Sequence, residues 1–177
     1  MEHGANINKK DNHGITPLYV TCQKGYESIV KYLVEHGANI NKEDNNGITP
    51  LYIACENGYT AIVKYLVEHV SDVNKEKNDG WTPLFIAYRN RHKDIIKYLI
   101  DHGADINKQD DHGDTPLFIA YNYRDITMIK YLVELGADIN KQDNHGNTPL
   151  FIACNKGDII MVKYLVELEA NLNKKKQ

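Results

Sequence analysis

Thr-Pro-Leu begins at Thr16, Thr49, Thr82, Thr115 and Thr148, each 33 residues after the one before, with no residue inserted or deleted between them. A fixed period of this length constrains the chain more than any local preference. It demands that one small unit be built five times and stacked, because such a unit cannot bury its apolar face alone. Behind each Thr-Pro-Leu comes a second apolar phrase: IVKYLVEHGAN, IVKYLVEHVSD, IIKYLIDHGAD, MIKYLVELGAD and MVKYLVELEAN. The spacing leaves no room for a linker. It predicts a single domain over residues 1–177, with 1–10 as the end of an earlier repeat and full repeats at 11–43, 44–76, 77–109, 110–142 and 143–175.

Local signals within a repeat agree with one another. Thr followed by Pro and an apolar run reads as a helix start, the hydroxyl capping it and Pro taking the first helical position, where its missing N–H costs nothing. In the first repeat this predicts a helix from about Pro17 to Lys24, ended by Gly25 in a left-handed turn. A second helix, about Glu27 to His36, is expected to bury Ile29, Val30, Leu33 and Val34 as one stripe and to end at Gly37. The segment ANINKEDNNGI then reads as a hairpin-like loop.

Asp44, Gly47, Thr49, Pro50, Leu51, Ala54, Gly58, Ile62, Val63 and Leu66 together form a pattern that resembles the ankyrin repeat, and the resemblance runs over essentially the whole chain. It implies a mainly α fold: an ankyrin-repeat solenoid of stacked antiparallel helix pairs with hairpin-like loops. It also implies a non-catalytic protein-protein interaction module that presents a concave groove of hairpin tips and inner helices to a protein partner. The alternative is a structural spacer, one segment of a longer ankyrin array. The chain departs from the family where a His usually follows Thr-Pro-Leu, since Tyr19, Tyr52, Phe85, Phe118 and Phe151 stand there. Aromatic stacking between repeats is expected to replace the hydrogen bond that His would make.

Composition removes several other functions. A formal net charge of −3 gives no basic excess for phosphate contacts, so no nucleic-acid partner is expected. No apolar run approaches the ~18 residues of a membrane span, and the first ten residues lack the apolar centre of a signal peptide. Three cysteines are an odd count, which argues against a disulfide framework and for an intracellular, cytoplasmic setting.

The period also tests each apparent site. Cys22, Cys55 and Cys154 share one repeat position and read as buried small thiols, roughly 8–10 Å apart at the nearest and so beyond disulfide reach. His36, His69 and His102 share another, at the C-terminus of the second helix, where positive charge is favoured. His13, His112 and His145 fall in hairpin turns. Glu35, Glu68, Glu134 and Glu167 each follow a Lys by four residues and read as a solvated charge ladder. No nucleophile, base and orienting residue stand together and no glycine-rich phosphate loop is present, so neither an enzyme nor a cofactor or metal site is expected.

Recognition is then sought where the repeats differ. Trp81 is the single tryptophan, Arg91 and Arg124 replace the helix-ending glycine, and Tyr88 and Tyr121 replace the cysteine of the other repeats. Trp, Tyr and Arg dominate interfaces because large, rigid surfaces bury much area at small entropic cost. Ile48, Trp81, Arg89, Asp114 and Tyr123 are the expected partner-binding centre. For Trp81 an interface anchor and a ring packed on Ile48 and its own hairpin are both open, whereas Tyr88 and Tyr121 are expected to pack between repeats. Met1 falls at the position of Val34, and Ile159 and Ile160 stand where repeat 1 has Glu27 and Ser28, so end-to-end self-association is expected as well.

Overall fold

The computed structural model describes residues 4–175, with side chains described for residues 4–168. Met1, on which the comparison with Val34 turns, lies outside the described residues. Ten helices and no strand are found among the described residues: α1 (Pro17–Lys24), α2 (Glu27–Glu35), α3 (Pro50–Asn57), α4 (Thr60–Glu68), α5 (Pro83–Arg89), α6 (Lys93–Asp101), α7 (Pro116–Asn122), α8 (Ile126–Glu134), α9 (Pro149–Asn155) and α10 (Ile159–Lys175). They form two compact units, Met1–Asp105 and Ile106–Gln177. In the first, α1, α3 and α5 stack as one row of helices and α2, α4 and α6 as a second. In the second unit α7 pairs with α8 and α9 with α10. Each unit is a helical-repeat stack.

Every first helix starts as its sequence dictates. The hydroxyls of Thr16, Thr49, Thr82, Thr115 and Thr148 accept from the backbone N–H three residues on, and Pro follows each cap. Such a cap contributes ~1 kcal/mol. Leu18, Leu51, Leu84 and Leu117, next along, are almost wholly buried.

Gly25 and Gly58 end α1 and α3 in the left-handed conformation, both with φ of 77°. Arg91 (φ 61°) and Arg124 (φ 52°) hold that same conformation in the repeats that lack the glycine. The turn is therefore preserved at a strain of ~1 kcal/mol each, and the loop does not change shape. Val70 (φ 70°) is a third case, standing where Gly37, Gly103 and Gly136 end the other second helices. A β-branched residue is a poor occupant of this region.

The loops are turns without a strand ladder. Asp44 accepts from the N–H groups of Asn46 and Ile48, both at 2.8 Å, while its own N–H donates to the Ile48 carbonyl. Asp11, Asp110 and Asp143 repeat this arrangement. One asparagine per loop then bridges to the next repeat: the Asn41 amide donates to the Val70 carbonyl and accepts from the Asp72 N–H, and Asn74 does the same with Gly103 and Asp105.

Two expectations about side chains need correction. Ile29 is 46% exposed whereas Ile62, at the same repeat position, is 2% exposed. The face that repeat 1 covers in repeat 2 has no such neighbour in repeat 1. Cys154 is exposed, unlike Cys22 and Cys55, because among the described residues no repeat packs over the outer side of α9. Along the second helices exposed charges do pair: Lys31 with Glu27 at 2.6 Å, the better helical orientation, and Lys97 with Asp101 at 3.1 Å.

Candidate partner-binding site

Trp81 is half-buried at the end of the repeat 3 turn. Its ring lies 5.6 Å from Phe85, the aromatic that stands in for the family's His, and the Arg89 guanidinium sits over it at 5.4 Å. Trp81 stands just before the Thr82 cap, Phe85 in the first turn of α5 and Arg89 at its end, so the entry into α5 sets both contacts. The Lys77 ammonium lies 5.9 Å from the same ring. Cations over an indole face are stabilised by the ring quadrupole, by ~0.5–1 kcal/mol at exposed sites.

Lys77 was not singled out from the sequence, although the signal was there. It occupies the position of Asp11, Asp44, Asp110 and Asp143. The acidic group of this turn has moved two residues on, to Asp79, which pairs with Lys77 and accepts from the Trp81 N–H at 3.2 Å. Burial acts to raise the Asp79 carboxyl, but the Lys77 and Trp81 hydrogen bonds outweigh it and hold the group below its ordinary value. The turn that carries the tryptophan is thus fixed by an ion pair where the others use an Asp at the opening position. Asn90 extends the exposed surface beyond Arg89, its amide donating to the Glu56 carbonyl at 2.7 Å.

Of the five expected residues, Trp81 and Arg89 are in direct contact. Ile48 is half-buried one turn earlier in the same unit, its N–H committed to Asp44. Asp114 and Tyr123 belong to the unit Ile106–Gln177. Asp114 is half-buried, and burial raises its carboxyl above the ordinary value, with Asp110 and Asp143 adding to the effect. Tyr123 caps α7 and is strongly exposed. Beside it the Lys156 ammonium donates to the Asn122 amide oxygen at 2.9 Å, and Arg124 Nε pairs with Asp158 at 2.8 Å.

Tyr88 and Tyr121 are both buried. The recurring histidines are committed to structure: Nδ1 of His36, His69 and His102 donates to the carbonyl of Tyr32, Tyr65 and Tyr98, and His36 and His102 stack on those tyrosines. Burial pushes the Cys22 thiol up to about 12 and Cys55 higher still, the opposite of what a nucleophilic thiol needs. Among the described residues no three His, Cys, Asp or Glu side chains converge as metal ligands would.

A family model described as ankyrin repeats (three copies) matches the chain over residues 1–77, 36–110, 68–143 and 108–176, stretches that overlap and together span almost its full length. No curated protein matches.

Proposed function

Since the chain belongs to the ankyrin-repeat family, whose repeats are generally protein-protein interaction modules, we propose that it holds a protein partner through Ile48, Trp81, Arg89, Asp114 and Tyr123. On this reading the chain carries out no chemistry. What supports this reading most is the Trp81–Arg89 pair. A half-buried indole, tilted on Phe85 and carrying a guanidinium on its face, is already held in one geometry. A partner therefore meets an aromatic surface with little rotamer entropy left to lose. Tyr123 offers a second exposed ring on the other unit. Among the described residues no helix is long and apolar enough to cross a membrane, and the odd cysteine count favours an intracellular, cytoplasmic setting for the complex.

Parallel affinity capture with the wild-type chain and with Trp81→Ala, read by quantitative mass spectrometry, tests the proposal. Proteins retained by the wild type and depleted at least tenfold with Trp81→Ala are the expected result. Retention of the same proteins at equal abundance by both would overturn the role of Trp81. A chain that retains nothing reverts to the spacer reading.

A further inference from the structure

Within each unit, neighbouring repeats are joined by matched pairs 34 residues apart. A Cβ placed on Gly25 would meet the Tyr59 ring at 2.8 Å, and one placed on Gly58 would meet the His92 ring at 2.6 Å. Wherever the turn is a glycine, the next repeat lays an aromatic ring on it. In repeat 4 the turn is Arg124, and the next repeat answers with Asp158. A second pairing works at the hairpin tips. Gly14, Gly47 and Gly113 are closely approached by Asn45, Asn78 and Asn144, whose amides donate to the carbonyls of Asn12, Asn45 and Asp111.

Repeat 5 carries both seats open: among the described residues, a Cβ on Gly146 or Gly157 would meet no atom within 4 Å. Repeat 1 carries both plugs. Tyr26 occupies the repeat position of Tyr59 and His92 and is 54% exposed, and Asn12 occupies the position of Asn45, Asn78 and Asn144 and is exposed. The apolar surfaces around them match in the same way. Phe151 is 58% exposed where Phe118 is 1%, and Ile29 is the exposed counterpart of Ile62.

We propose that the chain assembles head to tail, repeat 5 of one copy receiving repeat 1 of another in the register that joins repeats within the chain, with Tyr26 seated on Gly157. Asn12 enters the open approach to Gly146 and donates to the Asn144 carbonyl of the receiving copy. Register also fixes what the incoming copy brings with it: its residues 4–10 fall where the loop after a second helix lies in earlier repeats. In the receiving copy α10 continues through Lys175, with Glu169 in place of a helix-ending glycine, so the backbone does not make that loop. The interface is heterologous, so assembly continues past two copies and its mean size grows with concentration.

The test uses the difference between the two pairings. Sedimentation velocity of the full chain between about 5 and 500 μM, a range that brackets a Kd near 10⁻⁴ M, should show a sedimentation coefficient rising with concentration. Gly157→Arg and Tyr26→Asp should each weaken association at least tenfold at unchanged circular dichroism. The arginine is compatible with this turn, as Arg91 and Arg124 show in the same left-handed conformation. Mixing the two variants should restore association, because the introduced arginine and aspartate then meet as Arg124 and Asp158 do. A wild-type chain that stays monomeric at about 500 μM, single variants that associate like the wild type, or a mixture no better than its components would each overturn the proposal.

Discussion

Arg124 Nε lies 2.8 Å from the Asp158 carboxylate, tying the turn after α7 to the start of α10. Asp158 also accepts from the Met161 N–H, so one carboxylate caps a helix and holds a strained arginine at once. The pair balances two costs. Arg124→Gly relieves ~1 kcal/mol of left-handed strain and loses a largely exposed ion pair worth ~0–1 kcal/mol, so its unfolding free energy should equal that of wild type or exceed it by up to about 1 kcal/mol. Arg124→Ala keeps the strain and loses the pair, and is expected to be the less stable of the two by about 1 kcal/mol in urea titrations.

Val70 has the strain without any comparable compensation. It is 83% exposed and sits at φ 70°. Its carbonyl accepts from Asn41, a bond that any side chain at this position keeps. Val70→Gly should therefore stabilise the protein by about 1 kcal/mol, a rise in Tm of roughly 2–4 °C for a chain of this size. Thermal denaturation showing a lower Tm would contradict this reading of the turn.

How much of this was legible in the sequence depends on whether a residue answers to its own repeat or to its neighbours. Thr16 caps α1 and Gly25 ends it through contacts within a few residues, and both follow from local pattern. The paired helices follow from the same signals repeated five times. Ile29 and Cys154 were misread because burial is decided by the adjoining repeat, and each lies on a face where none packs. Arg124 was visible as a departure from glycine, but its reason stands 34 residues away in Asp158. At the candidate site Trp81 and Arg89 could be picked out by residue type. Lys77 was missed, because an Asp displaced to Asp79 shows only when the turns are compared position by position.

Asp114 supplies a pH-dependent case. Burial, and then Asp110 and Asp143, raise its carboxyl above the ordinary value. An unfolded Asp ionises near 3.9, so the folded form holds more protons above that pH and stability falls as pH rises through the raised value. Asp114→Asn should raise Tm at pH 7 and lose that advantage near pH 2.5, where both side chains are neutral. Asn147 shows that the amide fits, donating to Asp143 at 3.0 Å from the same repeat position. A gain that is the same at both pH values would exclude the electrostatic cause.

Thiol chemistry should separate the three cysteines. Cys154 is exposed, whereas Cys22 and Cys55 are buried with their thiols pushed up by burial. One equivalent is expected to react with an aromatic disulfide reagent within minutes at pH 8, with the other two following only in denaturant. Cys154→Ser should abolish the fast phase. Two fast equivalents in the native protein would mean that the first helices open more readily than their packing implies.

Trp81 is the only tryptophan, so a chain labelled with 5-fluorotryptophan gives one ¹⁹F resonance that reports on the site alone. Titration with a captured partner should shift or broaden that resonance to saturation at one partner per chain, and Arg89→Ala, which removes the guanidinium from the ring, should weaken the complex. A partner that binds at full occupancy while the resonance stays unmoved would contradict the claim that recognition centres on Trp81.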